Sequence, residues 1–330
     1  MGKKRVIIPA AIFFVLTAIG LGAAFFLSRS PVLIVEDRLF EAIYGPARLR
    51  KKQGLLSLKL KRPIRIIRVE ENAGDDVVIF AVESAAEIPY CVIFAFRYYD
   101  AARRYNREYP DIPAGVSLGR YREPENTGPE RLAIFGTDQK TDLYRAGRLA
   151  ALLASASPSS ASPSSASPSS VETPEGQASP AEKPPVILVF QDENISGDLR
   201  NAFKKGLEDE RNGSNPRYLI GSQYQSGTPC DTAVIYGMDA DFFGQSGDIP
   251  GILFSWLDPA LTPLKIKAVF DDSPLALAAK LVPLIVKPED DGEDKRKVIE
   301  ISSEIHILSR RLVEKGLPGK MKRAAGAELD

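Results

Sequence analysis

Residues 131–153, RLAIFGTDQKTDLYRAGRLAALL, contain the pattern from which the fold of this chain is predicted. Residues 132–135 form a short apolar run, residues 136–138 interrupt it, and residues 142–153 carry apolar side chains at helical spacing. Either Thr141 or Asp142 is placed to cap the helix. The segment therefore predicts a strand, a polar turn and a helix.

The same order of elements returns after a segment of different composition. A strand is predicted at 186–190, a polar turn at 191–194 and a helix at 196–210. The intervening residues 155–184 are rich in Ser, Pro and Ala and contain ASPSS three times in succession. Such a sequence buries too little apolar surface to offset its ordering entropy, so a disordered loop is predicted.

The loop has two interpretations. It either separates two independent domains or bulges from a connection whose ends lie close together. The second is favoured, because the first half lacks a strand to close its sheet and the second half ends with a surplus strand.

Composition excludes several classes of function. The chain has 330 residues, and its 43 basic and 43 acidic side chains cancel, so no overall field directs it toward nucleic acid. His306 is the only histidine, and the cysteines are Cys91 and Cys230. An ordinary zinc site is therefore not expected, nor is a histidine-based catalytic triad unless His306 serves in it.

The amino-terminal sequence predicts a membrane anchor. Lys3, Lys4 and Arg5 precede residues 6–27, which carry no charge and are long enough to span a bilayer. The positive-inside rule places residues 1–5 in the cytoplasm and the rest of the chain in the periplasm, on a single pass of the inner membrane. A cleaved signal peptide is the competing interpretation, and it also exports the chain. With so short a cytoplasmic segment, signalling would require an unidentified partner protein in the membrane or periplasm.

Strands and helices alternate through the first half. Strands are predicted at 32–35, 63–69, 92–96 and 116–118, with helices at 39–44 and 101–109 and either a helix or an amphipathic connection at 75–85. Continuous apolar runs indicate parallel strands covered on both faces.

Residues 51–62, KKQGLLSLKLKR, are strongly basic. They are interpreted either as a surface for membrane or nucleic acid or, preferably, as a solvated connection with a few core leucines.

The second half continues the pattern. Strands are predicted at 217–220, 232–236, 252–254, 266–270 and 298–301, a helix capped by Ser273 runs to residue 286, and a last helix spans 304–315. The predicted fold class is α/β, with two doubly wound lobes after one transmembrane helix. The predicted boundaries are lobe 1 at 31–153, lobe 2 at 185–315 and a frayed tail at 316–330.

Several segments carry a resemblance to a known superfamily. Thr137-Asp138 followed by DLYRAGRLAA at 142–151, the YPDIP turn at 109–113, and the strand, polar loop and helix that surround 192–206 occur in this order. This order resembles the type I periplasmic binding proteins, which include ribose-binding proteins and basic-membrane-protein nucleoside-binding lipoproteins. The chain departs from them in its Ser/Pro insertion and in having no lipid-attachment cysteine after the apolar run. Because no helix-turn-helix precedes the first strand, a DNA-binding repressor of this superfamily is excluded.

The resemblance implies that a small polar solute, such as a nucleoside or sugar, binds between the lobes at the carboxyl ends of the strands. Carboxylates and an arginine would hydrogen-bond the solute, and Trp256 or Tyr98 would stack on a ring. Each position has a plainer alternative as a helix cap, a turn acid or a core aromatic. The implied ligand-binding residues are Glu36, Asp37, Arg97, Tyr98, Thr137, Asp138, Asp192, Glu193, Asp239, Trp256, Asp258 and Asp271.

Three classes of function follow. The leading hypothesis is a membrane-anchored solute-binding or sensing domain. The second is a structural or protein-interaction module with the same fold and a degenerate cleft. The third, an exported hydrolase, is disfavoured because no Gly-rich phosphate loop, nucleophile elbow or metal-ligand spacing accompanies paired acids such as Asp271-Asp272. No enzymatic activity, cofactor, metal or nucleic-acid partner is therefore predicted.

Overall fold

The chain folds into two compact units that exchange segments. In the computed structural model, the described residues are 17, 20–22, 24–120, 132–156, 186–191, 196–210, 217–220, 231–236, 249–287, 298–312, 314 and 316–327. Unit 1 comprises Met1–Thr137 and Asp272–Ile301, and unit 2 comprises Asp138–Asp271 and Ser302–Asp330. The chain therefore passes from one unit to the other after Thr137, after Asp271 and after Ile301.

Unit 1 is built on a six-stranded parallel sheet. Its inner strands are rich in Val, Ile and Phe and are buried through most of their length, which is typical of parallel strands covered on both faces, whereas the two edge strands are partly exposed. In spatial order they are β2 (Ile64–Val69), β1 (Val32–Asp37), β3 (Cys91–Ala95), β4 (Ala114–Ser117), β5 (Ala133–Thr137) and β11 (Ile299–Ile301).

Helices cover both faces of this sheet. They are α1 (Arg38–Tyr44), α2 (Pro46–Leu60), α3 (Asp75–Ala85), α4 (Tyr99–Glu108) and α7 (Pro274–Val286). Helices α3 and α4 pack on one face, in a core that includes Leu33 and Phe94. Helix α7 packs on the other face against α2, β3 and β4. Gly115 permits this contact, because a Cβ there would lie 2.8 Å from Cδ1 of Ile285.

Unit 2 repeats the strand order of unit 1. Its sheet contains, in spatial order, β7 (Arg217–Ile220), β6 (Val186–Gln191), β8 (Thr232–Tyr236), β9 (Gly251–Phe254), β10 (Ile266–Asp271) and β12 (Glu304–Ile307). Among the described strands of this sheet, only β12 is antiparallel to its neighbour, β10. Helices α5 (Gln139–Ser155), α6 (Gly197–Glu210) and α8 (Leu317–Ala325) pack in this unit. The prediction of two α/β lobes with the same strand order is confirmed, and helices on both faces of the sheet are described for unit 1.

The predicted lobe boundaries differ from those of the units. Residues 31–153 were assigned to lobe 1, but α5 lies in unit 2, where it packs along α6 and beneath β8 and β9. Conversely, α7 and β11 return to unit 1, where β11 pairs with β5 as the surplus strand that closes its sheet. The Ser/Pro tract marks a change of composition, whereas the unit boundary follows the packing of the apolar helix faces. Residues 157–184 of the predicted loop lie outside the described residues.

Three predicted segments have a different secondary structure. The predicted helix at 304–315 is instead strand β12, because Ile305 and Ile307 alternate with polar residues and pair with β10, followed by a 3-10 turn at Ser309–Arg311. The predicted frayed tail contains α8, which buries Leu317, Met321 and Ala324 at positions i, i+4 and i+7. The basic segment predicted as a connection is largely the helix α2.

The predicted membrane anchor falls largely on residues outside the described ones. Within the part of the chain that the structure describes, no helix has the length and apolar character needed to cross a bilayer. The described part of segment 6–27 is helical, and Leu21, Phe25 and Leu27 in it are between 64 and 68% exposed. The anchor therefore stays a prediction.

Cys91 is a free, buried thiol on β3. Burial raises the pKa of this thiol to about 12. Since only the thiolate is reactive, we expect the Cys91 thiol in the native Cys230→Ser chain to resist iodoacetamide at pH 8 and to react once the chain is unfolded in urea. Mass spectrometry of the alkylated chain measures this. Rapid, complete alkylation of the native chain would contradict the buried position of Cys91.

Candidate functional site

Charged side chains meet at the carboxyl edge of the sheet in unit 1. Strands β2, β1 and β3 are neighbours, and they are followed or ended by Glu71, Asp37 and Arg97 respectively. Because these strands are parallel, their carboxyl ends lie at one edge. Nε of Arg97 lies 3.6 Å from Oδ2 of Asp37, and Nη1 of Arg97 donates to Oε1 of Glu71. We call Asp37, Glu71 and Arg97 the carboxyl-edge cluster.

The carboxyl-edge cluster is accessible to solvent and carries both charge signs. The side chains of Arg97, Asp37 and Glu71 are 34, 16 and 45% exposed. The hydrogen bond with Glu71 is the largest cause of the raised pKa of Arg97, with a smaller contribution from the charge of Asp37. Asp37 also caps α1, since Oδ1 accepts the Phe40 N–H at 2.8 Å. The second Asp37 oxygen faces Arg97, so the cap fixes the carboxylate without using all of its acceptors.

Tyr98 and Glu36 are buried beside this cluster. The Tyr98 ring is part of the core, and its hydroxyl donates to the carbonyl oxygens of Val69 and Glu70 at 3.4 and 3.3 Å. Burial first, and then the negative charge of Asp37, raise the pKa of Tyr98 to about 12. Glu36 is 1% exposed on the opposite side of β1 from Asp37. Tyr98 therefore matches its plainer alternative as a core aromatic, and its hydroxyl bonds the backbone at the end of β2.

A second polar group in unit 1 is fully buried. Oδ1 of Asp272 lies 3.0 Å from Nη2 of Arg120, and Oδ2 accepts a hydrogen bond from Thr137 Oγ1 at 3.0 Å. The side chains of Arg120 and Asp272 are 2 and 4% exposed. Thr137 ends β5 and Asp272 begins the return of the chain to unit 1, so the group joins two points at which the chain leaves or enters this unit.

Arg120 was missed in the sequence. It comes three residues after β4 ends, in a turn where Gly119 has φ +68°, a conformation that favours glycine. The sequence does contain a signal for it, because Arg120 follows the predicted strand at 116–118 as Arg97 follows the predicted strand at 92–96.

In unit 2 the predicted residues are spread over several carboxyl ends. Asp138 caps α5, accepting the Thr141 N–H at 3.0 Å, and Asp258 accepts the Ala260 N–H at 2.9 Å, so these acids close a helix end and a turn. Trp256 is half-buried just after β9, and Asp271 is fully buried at the end of the neighbouring β10. The predicted residues Asp192, Glu193 and Asp239 lie outside the described residues.

Two further residues of unit 2 differ from their predicted roles. Asp142 does not cap α5 but is buried, and Oδ1 accepts the Ser303 N–H at 2.9 Å. His306 lies on strand β12 rather than on a helix, with Nε2 3.4 Å from Oδ2 of Asp271. Among the described residues, no group of three or more His, Cys, Asp or Glu side chains is arranged to hold a metal ion.

Comparison with solved structures defines the fold. A solute-binding protein of an ABC transporter system from Conexibacter woesei is similar over 90% of this chain and 95% of its own, with a TM-score of 0.52 and 12% identity. This chain has a type I periplasmic-binding-protein fold. At this identity the similarity establishes the fold alone. No protein-family model and no curated protein matches the chain.

Two other solved structures are similar at lower scores. A transcriptional activator of the comK gene from Bacillus halodurans has a TM-score of 0.47 and 11% identity, covering 90% of this chain and 96% of its own. A periplasmic solute-binding protein from Actinobacillus succinogenes, with bound D-allose, has a TM-score of 0.44 and 10% identity, covering 86 and 99%. Independently of these two structures, open parallel α/β sheets bind ligands at the carboxyl ends of their strands, so the carboxyl-edge cluster is the candidate site in unit 1.

Proposed function

We propose that this chain is a solute-binding or sensing protein that holds a small polar ligand at the carboxyl edge of its sheets. The observation that carries the proposal is the carboxyl-edge cluster, in which a partly exposed guanidinium lies between two carboxylates. Its carboxylates accept hydrogen bonds from ligand hydroxyl groups and the guanidinium donates to ligand oxygens. A solute with several adjacent hydroxyl groups, such as a sugar or the ribose of a nucleoside, matches this set.

The carboxyl edge of unit 2 carries an aromatic residue suited to the same class of ligand. Trp256 supplies a half-buried ring surface after β9, whereas the carboxylate of Asp271, at the end of the next strand, is fully buried beside His306. Aromatic faces stack on sugar and base rings, so Trp256 is the residue of this edge that we propose to contact a ligand. No enzymatic step is proposed for these groups.

Membrane anchoring by residues 6–27 is part of the proposal. The segment is uncharged and directly follows three cationic residues. In its described part, the apolar side chains of Leu21, Phe25 and Leu27 are exposed. Exposed side chains of this kind are accommodated by lipid more readily than by water. The units would then lie outside the cytoplasm on a single-pass anchor, and a periplasmic or membrane protein would receive the signal of the bound solute.

A thermal-shift screen of the full chain tests solute binding. With sugars (D-allose and D-arabinose among them), nucleosides and amino acids as probes, we expect at least one class to raise the melting temperature in proportion to the logarithm of its concentration. In Arg97→Ala the affinity for that probe should fall by about tenfold or more, because the ligand loses a charged donor. Arg104→Ala is the matched control, since Arg104 is an exposed arginine on α4 paired with Asp76 and Glu108.

A second candidate function has one observation in its favour. Thr137 and Tyr98, both predicted to contact ligand, are buried and bonded within unit 1. A protein-interaction module that keeps the fold without a ligand would use such residues for structure alone. No response to any probe class, together with an unaltered melting temperature in Arg97→Ala, would favour this module over solute binding.

A further inference from the structure

All the charged side chains of helix α2 are positive. Its sequence, PARLRKKQGLLSLKL, contains five cations and no carboxylate. Leu49 and Leu56 are buried against unit 1, whereas Leu55 and Leu58 are 55 and 72% exposed. A helix that needs only its buried leucines for folding gains nothing from large apolar side chains on its solvent face.

The exposed residues of α2 form a continuous surface. Arg50, Lys51, Leu55, Leu58 and Lys59 are all exposed, and the spacing of 51, 55 and 58 places them on one side of a helix. We call these five residues the α2 face. Its two leucines are flanked along the helix by cations, and exposed leucines together with Lys and Arg are the residue types that interfacial helices present to a bilayer.

The position of α2 relates this face to the proposed anchor. Nη1 of Arg29 donates to the carbonyl oxygen of Lys61 at 2.9 Å, and Nη1 of Arg62 donates to that of Ser30 at 3.3 Å. Segment 6–27 ends two residues before Arg29, so the carboxyl end of α2 is bonded to the chain just where the proposed anchor would leave the bilayer.

We propose that the α2 face binds the surface of a membrane that contains anionic lipids. The leucines would enter the headgroup region, while the long stems of the cations extend along it and place their charges near lipid phosphates. The inference rests on the proposed anchoring, which brings α2 to a bilayer, and it adds a second point of attachment on unit 1. A nucleic-acid surface fits less well, because two exposed leucines at its centre offer nothing to a phosphate backbone.

A polarity-sensitive probe at position 58 tests the proposal in the full chain. In a Cys230→Ser background, Leu58→Cys is labelled with a nitrobenzoxadiazole dye and the chain is added to vesicles of phosphatidylcholine with or without phosphatidylglycerol. We expect about a twofold or larger rise in emission with anionic vesicles, and quenching by spin-labelled lipid. The same dye on Phe80→Cys is the control, because Phe80 is 68% exposed on α3, on the other face of the sheet.

Charge reversal and a second ligand distinguish the outcomes. Arg50→Glu, Lys51→Glu and Lys59→Glu together should abolish the difference between anionic and neutral vesicles. Equal responses at positions 58 and 80, or a probe at 58 that responds to duplex DNA and not to anionic vesicles, would overturn the proposal.

Retention of the chain on vesicles after a carbonate wash tests the anchor separately from the α2 face. Retention with a silent probe at 58 rejects the α2 face alone, whereas loss of the chain with a responsive probe rejects the anchor alone.

Discussion

Replacement of Asp272 by alanine is expected to lower the free energy of unfolding by about 3–5 kcal/mol. The guanidinium of Arg120 would keep its charge in a site where its side chain is 2% exposed, and it would lose the carboxylate oxygen now 3.0 Å away. The Thr137 hydroxyl would lose its acceptor as well. Urea unfolding, with hydrogen exchange to localise the loss to unit 1, measures the effect.

An exposed ion pair provides the matched control. Glu70 approaches Arg38 at 2.6 Å, but both side chains are about two-thirds exposed, so Glu70→Ala should cost less than about 1 kcal/mol. The combination Arg120→Met with Asp272→Leu should recover much of the loss of Asp272→Ala, because no unpaired charge is then buried. If Asp272→Ala lowered the free energy of unfolding as little as Glu70→Ala, the Arg120 guanidinium would have to be hydrated, which would contradict its burial.

The second large effect is expected at the crossing of α5 and α6. A Cβ on Gly206 would lie 2.0 Å from the carbonyl oxygen of Tyr144, and a Cβ on Gly147 would lie 2.3 Å from that of Phe203. Both obstacles are backbone atoms, so the helices must separate rather than a side chain rotate. Gly206→Ala should therefore destabilise unit 2 by about 1–3 kcal/mol or more, measured by urea unfolding.

Gly54→Ala is the control for this substitution. Gly54 lies inside α2 with open space around its Cα, so alanine there should stabilise the chain by up to about 1 kcal/mol through helix propensity. The double variant with Gly147→Ala should lose less than the sum of the single losses, since one separation of the helices relieves both contacts. Additive losses, or a stable Gly206→Ala, would contradict so close a crossing.

The carboxyl-edge cluster was partly predictable. Asp37 and Arg97 are implied by the resemblance to the type I periplasmic binding proteins, which places ligand at the carboxyl ends of the parallel strands. Glu71 is absent from the predicted ligand-binding residues, because the sequence does not show which strands are neighbours in the sheet. The ends of β2 and β3 lie close together only because both strands pair with β1.

The roles of buried polar residues were harder to predict. Asp142 has the spacing of a helix cap, yet its partner is Ser303, which is 161 positions away. Asp272 is one of two adjacent acids in the sequence, and its partners Arg120 and Thr137 are also distant in the chain. A local sequence pattern indicates which residues can cap a helix or form a turn. A buried carboxylate instead accepts hydrogen bonds from donors that tertiary folding brings beside it from distant parts of the chain.

By itself, the sequence determined the type and approximate limits of most elements, because apolar periodicity depends only on which faces of a local element avoid water. Tertiary structure decided which unit each element joined. Helix α5 follows β5 of unit 1 directly, but its glycine-containing face fits α6 of unit 2, and the short strands β11 and β12 separate to different sheets. Such choices depend on contacts between residues far apart in the chain, whose shapes and hydrogen-bonding groups match only after both partners have formed.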